Sequence, residues 1–289
     1  MHPFRYVAPA TLDEAVALLN EHGERARCIA GGTDILVQTR GGKYELDAIV
    51  DIKKIPEVMT LDLAGDGLHI GAAVPCHRIY EHEGIREAFP GIIDAAELIG
   101  GIQIQSRASL GGNLCNAAPS ADGIPPLIVH SGVANIAGPN GTRKVPVEEF
   151  CTGPGQTVLG RGEMLVSIDL PAPAQGFGAS YERFIPRNEM DIAVAAVGSS
   201  VVISNGAIQS ARIALASVAP TPVVAADAAA SLAGKEPSDA NIKAASELAV
   251  EATSPIEDMR GTVEQRRHLI GVLTRRTLTK GLQRARGAN

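Results

Sequence analysis

Two glycine-paired segments carry the chemistry open to this sequence. The first is Ile29-Ala30-Gly31-Gly32-Thr33-Asp34, at a strand-to-helix junction. The second begins Ala108-Ser109-Leu110-Gly111-Gly112-Asn113 and runs through Cys115 and Asn116 to Asp122. A glycine pair lets a ligand approach the backbone closely, and consecutive amides at a helix start converge on anionic oxygens. Two such loops suit the two phosphates of a pyrophosphate, without any lysine. Asn113, Asn116 and Asp122 would then offer polar groups to a ribose or a ring edge. Either loop alone also reads as a tight turn, and only their joint occurrence points to a ligand.

Other patterns fall short of a site. Gly65-Asp66-Gly67 with Gly71 misplaces the third glycine of a dinucleotide fingerprint and has no βαβ context, so it reads as a turn between strands. Neither a phosphate-binding G-x-x-x-x-G-K-[ST] nor a G-x-S-x-G elbow is present. Cys76-His77 with His82 lacks a fourth metal ligand. Cys28, Cys76, Cys115 and Cys151 form no C-x-x-C pair and read as free thiols, unable to build a zinc ribbon or an iron–sulfur cluster from local ligands. Nothing marks Asp13-Glu14 or Glu148-Glu149 as an acid–base couple. The reading therefore assigns no catalytic residue and no metal ligand.

Composition narrows the function classes. The 289 residues hold 26 Lys+Arg against 32 Asp+Glu, a net charge of −6, without the basic footprint of a nucleic-acid binder. With 45% hydrophobic residues the chain has ample material for cores. Without Trp, and with 3% aromatics, it offers few platforms for stacking bases or sugars. No signal peptide and no apolar run near the ~18 residues of a membrane span are present, so the expected location is cytoplasmic.

The elements that must hold the two loops follow from capping and periodicity. Thr11-Leu-Asp-Glu14 is a capping box ahead of an apolar stripe through Leu19. Arg27–Ala30 reads as a strand entering the first loop, Thr33 and Asp34 as caps of a helix to about Arg40, and Ala48–Ile52 as a strand. The first fifty residues thus form a β-α-β unit preceded by a helix. Helical patterns cover 79–89 and 91–99, and short strands 133–137, 145–147 and 165–170, two of them joined by a hairpin at Gly138-Pro-Asn-Gly141. Pro171–Gly176 is the linker. Strands at 179–185, 193–204 and 211–217 and helices near 222–233, 239–252 and 262–284 complete the second half. Of the C-terminal cations Arg266, Arg267, Arg275, Arg276, Lys280, Arg284 and Arg286, a solvated face is the default reading and a subunit-docking surface the sharper one.

At these residues the sequence closely resembles the FAD-binding medium subunit of molybdenum hydroxylases, the xanthine dehydrogenase and aerobic carbon monoxide dehydrogenase family. The resemblance spans essentially the whole chain: AGGTD, IGAAV at 70–74, IQIQSRASLGGNLCNAAPSAD at 102–122, GEMLVSIDLP at 162–171, Tyr181–Ile192 and ALASVAPTP at 214–222. It implies an α+β chain: a vanillyl-alcohol-oxidase-like, PCMH-type FAD-binding domain over 1–173, with subdomains about 1–55 and 56–173, and a C-terminal flavoprotein domain over 177–284 with a three-stranded antiparallel sheet and helices. By the same resemblance Ile29 and the amides of Ala30 to Asp34, with those of Ser109, Leu110, Gly111, Gly112 and Asn113, cradle the FAD pyrophosphate. Asp122 is placed for ribose hydroxyls, Ile99 and Leu165 line the cofactor, and Arg183 stands where relatives often carry a Lys near the flavin. Asp191-Ile192-Ala193 matches a D-[IYW]-A element whose middle residue lies against the isoalloxazine.

The chain departs from the family at three points. Gln105 replaces the first Arg of Q-[IV]-R-N-R. AGGTD replaces the AGGHS of the carbon monoxide type, which argues against carbon monoxide as substrate. The cysteine-rich insertion of the 4-hydroxybenzoyl-CoA reductase flavin subunit is missing. The implied function is electron transfer from [2Fe–2S] clusters in a small partner, supplied by a molybdopterin-bearing large partner, through this FAD to NAD, a quinone or oxygen, in a dimer of heterotrimers. The alternatives are a self-contained flavin oxidase, for which His69, His77 and His130 are the candidate bases, and a non-catalytic assembly protein that keeps the fold.

Overall fold

A computed structural model describes residues 2–287. Three strands, β1 (Arg5–Val7), β2 (Ala26–Ile29) and β3 (Ala48–Asp51), form a parallel sheet in the order β1-β3-β2. Helix α1 (Leu12–His22) crosses between β1 and β2; the Thr11 hydroxyl accepts from the Glu14 amide, and Glu14 in turn accepts from the Ala10 amide at 2.9 Å. The Thr11 cap therefore forms, but Glu14 reaches back to Ala10 and not to the Thr11 amide that would close the capping box; Ala15 and Leu19 enter the core. Helix α2 (Ile35–Arg40) follows the first glycine loop. Asp34 stands at its N-cap but makes no side-chain cap bond, correcting the expected capping role. The edge strand β1 has no sequence signal: three residues with exposed or half-exposed side chains show no periodicity.

A 3₁₀ turn at Ile52–Lys54 and a short helix α3 (Pro56–Met59) lead to a five-stranded antiparallel sheet. Its strands are β4 (Leu61–Ala64), β5 (Gly67–Gly71), β6 (Val133–Gly138), β7 (Gly141–Pro146) and, later in the chain, β10 (Met164–Pro171), in the order β4-β5-β10-β6-β7. The Gly65–Gly67 glycines do make the β4–β5 turn. Helices α4 (Cys76–Tyr80), α5 (Glu83–Ala88), α6 (Pro90–Ala96), α7 (Leu110–Asn116), α8 (Ile124–Val129) and α9 (Val147–Phe150) surround it, with a ribbon of β8 (Cys151–Gly153) and β9 (Gln156–Thr157). The expected helix over 79–89 is two helices: His82 Nδ1 accepts from the Ile85 amide and starts α5 afresh. Ala73, Ala137 and Met164 pack with Ala15, Leu19, Val50 and Val58, so the two N-terminal sheets share one core.

Beyond Pro171–Gly176, β11 (Phe177–Phe184), β12 (Ala195–Ser204) and β13 (Ala207–Ala216) form the expected antiparallel strands, with β14 (Val223–Val224) adding a fourth at the edge. That pairing, Ala214 with Val224 and Leu215 with Val223, takes the start of the helix expected at 222 and leaves α10 (Ala226–Ala230). Helices α11 (Asp239–Glu251) and α12 (Val263–Ala285) complete the layer. Residues 195–201 of β12 are all buried, because α12 covers one face of this sheet and α8 of the N-terminal region the other.

Candidate functional site

The strand-to-helix junction places the first loop, and a contact between distant segments completes it. A Cβ on Gly31 would lie 1.9 Å from the Arg107 carbonyl oxygen, so the Arg107–Ala108 backbone passes directly against the loop. The second loop follows at once. Ser109 caps α7, its Oγ accepting from the Gly112 amide at 3.0 Å, and Cys76 N donates to the Ala108 carbonyl at 2.8 Å. The two glycine segments thus meet in one place. Among the described residues, the amides of Gly31, Gly32, Thr33 and Asp34 in one loop, and of Leu110 and Gly111 in the other, donate to no protein acceptor. Buried or half-buried amides without partners are costly unless a ligand satisfies them. Adjacent loops of free donors make a candidate anion site.

Cations serve this site in a way the sequence reading did not foresee. Lys53 Nζ donates to the Ala30 carbonyl at 2.7 Å and to Asp51 Oδ1 at 2.6 Å, and the Arg107 Nε donates to the Gly31 carbonyl at 3.3 Å. A lysine braces the first loop through its carbonyl side, a role that the expectation of phosphates held without a lysine did not address. Its signal was readable, since β3 runs parallel to β2 and delivers the residues after Asp51 beside Ala30. Asp51 also accepts from the Tyr6 hydroxyl. Burial pushes its carboxyl up, but the hydrogen bonds and charge of Lys53, with Tyr6, outweigh that and hold it below the usual carboxylate range.

The polar residues expected around the ligand are largely engaged by the protein. Asn113 Oδ1 accepts from the Gly123 amide at 2.9 Å, and Asn116 Oδ1 from Gln38 Nε2 at 2.8 Å, tying α7 to α2. Both asparagines keep their Nδ2 groups for a ligand. Asp122 accepts from the Tyr181 hydroxyl at 2.6 Å and pairs with Arg183, so both its oxygens already have donors. Burial pushes its carboxyl up against the opposing pull of Arg183 and Tyr181. Burial likewise raises the Asp34 carboxyl.

The apolar positions divide. Ile99 and Leu165 belong to the core of the five-stranded sheet, and Leu165 is only 2% exposed, so it presents little surface to a cofactor. Ile192 is 48% exposed, beside Asp191, whose Oδ1 accepts from the Ile192 amide and whose carboxylate neighbours Arg187 and Arg260.

None of the three candidate bases is poised on the loops. His69 Nδ1 lies 2.7 Å from Asp169 on the sheet. His77 Nδ1 is buried without a partner. Burial drives His130 from 6.5 down to about 3, with Phe89 and Phe177 packed on its ring. Burial also pushes Cys28 and Cys76 up to about 12, which leaves neither as a thiolate at neutral pH.

Residues 2–173 match the family described as the FAD binding domain in molybdopterin dehydrogenase, and residues 180–280 the CO dehydrogenase flavoprotein C-terminal domain. The chain is 32% identical to the xanthine dehydrogenase FAD-binding subunit of Escherichia coli O157:H7, over 98% of this chain and 97% of that one. It is equally identical, 32%, to the carbon monoxide dehydrogenase medium chain of Hydrogenophaga pseudoflava, over 95% and 96%. The solved Hydrogenophaga pseudoflava carbon monoxide dehydrogenase superposes with a TM-score of 0.94, covering 98% of this chain and 99% of that one. Quinoline 2-oxidoreductase from Pseudomonas putida 86 gives 0.90 at 27% identity, covering 99% and 98%. Equal identity to the xanthine and carbon monoxide relatives does not test the expectation against carbon monoxide. A matched FAD-binding domain over more than half the chain, and relatives aligned end to end, make this chain a member of the FAD-binding subunit family of molybdenum hydroxylases.

Proposed function

We propose that this chain binds FAD with the pyrophosphate across the free amides of the two glycine loops and works as the electron-transfer subunit of a molybdenum-containing dehydrogenase. The observation that carries the reading is the meeting of two loops of unpartnered amides through the Gly31–Arg107 contact. Its partners are a large molybdenum-cofactor subunit and a small [2Fe–2S] subunit, in a dimer of heterotrimers and in the cytoplasm. Electrons reach the flavin from the iron–sulfur clusters and leave to NAD, a quinone or oxygen.

FAD, when bound, supplies the redox chemistry, and the protein binds, orients and screens it. Amides 31–34, 110 and 111 hold anionic oxygens without adding net positive charge, in keeping with a chain of charge −6. Asn113 and Asn116 offer Nδ2 donors, and Ile192 offers an apolar surface. No group here moves a proton in the reading, which agrees with the placement of His69, His77 and His130.

Reconstitution tests it. The purified chain should take up FAD, and hydrogen exchange at 31–34 and 110–111 should slow on binding. Reduced small partner should then bleach the flavin, while organic substrates added to the isolated chain should not. A chain that takes up no FAD rules the reading out; bleaching by a substrate in the absence of partners turns it into a self-contained flavin oxidase.

A further inference from the structure

We propose that Lys53 is a positioning residue for the first glycine loop: it fixes the Ala30–Gly31 peptide plane so that the Gly31 amide faces the anion site. The inference rests on the FAD reading above. In a trans peptide the carbonyl and the following amide point in opposite directions. Lys53 Nζ holds the Ala30 oxygen at 2.7 Å, which sends the Gly31 N–H to the other side, where it has no protein acceptor. Arg107 Nε on the Gly31 oxygen, at 3.3 Å, directs the Gly32 N–H in the same manner. The brace is needed because Gly32 has φ +81 and a glycine pair samples more backbone states than any other dipeptide. A rotated Ala30–Gly31 plane would aim a carbonyl oxygen at the phosphates.

The brace is itself anchored. Asp51 accepts from Lys53 Nζ at 2.6 Å, from the Lys53 amide at 3.1 Å and from the Tyr6 hydroxyl; its side chain is 10% exposed and that of Lys53 29%. With its charge paired to Asp51, Lys53 acts through the peptide and not as a phosphate counter-ion. The two roles separate on one substitution. Removing the Asp51 charge releases the ammonium, which would strengthen a counter-ion and loosen a brace.

The experiment measures dissociation constants of FAD and of ADP for the full chain and for Lys53→Met, Lys53→Arg and Asp51→Asn, with hydrogen exchange at Gly31 and Gly32. Lys53→Met should weaken both ligands by the same factor, about tenfold, the loss of one charge-assisted hydrogen bond. Lys53→Arg should recover most of it, and Asp51→Asn should weaken binding in the same direction. Should Lys53→Met or Asp51→Asn not fold, Tyr6→Phe, which removes one anchor of Asp51, should weaken both ligands by a smaller common factor. Wild-type affinity in Lys53→Met, or in Tyr6→Phe where that variant stands in for it, overturns the proposal. Tighter binding in Asp51→Asn overturns it in favour of a direct phosphate contact. If FAD leaves the wild-type amides at 31–34 and 110–111 unprotected, the underlying reading fails, and the proposal with it.

Discussion

Gly31 and Gly111 are glycines because other backbone occupies the space a side chain would need. A Cβ at 111 would meet the Ala72 carbonyl oxygen at 2.4 Å and its Cα at 2.5 Å, whereas one at 112 would meet only the Ser109 Oγ at 3.0 Å. Gly111→Ala should therefore cost about 1–3 kcal/mol or more by overpacking, while Gly112→Ala should stay within about 1 kcal/mol of the parent. Urea midpoints of the two variants, without flavin, make the comparison; equal midpoints would refute the packing argument. The glycine pairs were visible in the sequence. The passage of 107–108 and of Ala72 against them was not, since a residue type chosen for close approach does not say whether ligand or chain approaches. A variant such as Gly111→Val thus perturbs the fold together with the site, and Lys53 is the cleaner probe of binding.

At the scale of elements, α12 shows a signal that was present in the sequence and open to two readings. Its extent matched expectation to within a residue, but two of its cations face inward. Arg266 and Arg284 lie on the stripe of Ile270, Leu273, Thr277 and Gly281, at steps of three and four, while Arg267, Arg275, Arg276 and Arg286 are exposed. Arg266 and Arg284 depart from the solvated-face reading, while the four exposed arginines fit a solvated face and a docking surface alike. Arg266 donates to the Val194 and Ser217 carbonyls and to Asp258. Arg284 clasps Asp94 of α6 with bonds of 2.6 and 2.9 Å, joined by Lys280 and by the Tyr181 amide. Burial pushes the Asp94 carboxyl up, but the hydrogen bonds and charge of Arg284 hold it below its ordinary range. The clasp is accordingly intact above 3.8 and weakens as pH falls through the folded value. Asp94→Ala should cost about 3 kcal/mol by stranding a mostly buried arginine, and the paired Asp94→Leu/Arg284→Met should recover most of it. Chemical denaturation of Asp94→Leu, Arg284→Met and the double variant reads this directly, and additive losses would contradict the clasp.

At the scale of the molecule, the seam between the N-terminal region and the C-terminal sheet has its own pH dependence. His130, at the end of α8, lies between Phe89 at 5.5 Å and Phe177 at 5.1 Å between ring centroids, the latter on β11. Its Nε2 is buried without a partner, and burial takes the imidazole from 6.5 down to about 3. The sign follows from proton binding. Below 6.5 the unfolded chain binds a proton that the folded seam refuses, so stability is whole above 6.5 and falls on acidification. The slope attributable to this one group is about 1.4 kcal/mol per pH unit. Asp51 and Asp94, held below 3.8, add their losses only at lower pH. Asp34 and Asp122, pushed up by burial, oppose the trend, because they take up protons more readily when folded. A difference measurement removes both sets. His130→Leu keeps an apolar side chain against the two phenylalanines and deletes the titrating group. Urea unfolding of parent and variant from pH 7 to pH 4.5 should give curves that coincide in shape near neutrality and diverge below 6.5. The parent should lose about 2–3 kcal/mol more than the variant by the acid end. Parallel curves would mean that the seam admits the proton, and that His130 is not sealed between the two halves of the chain.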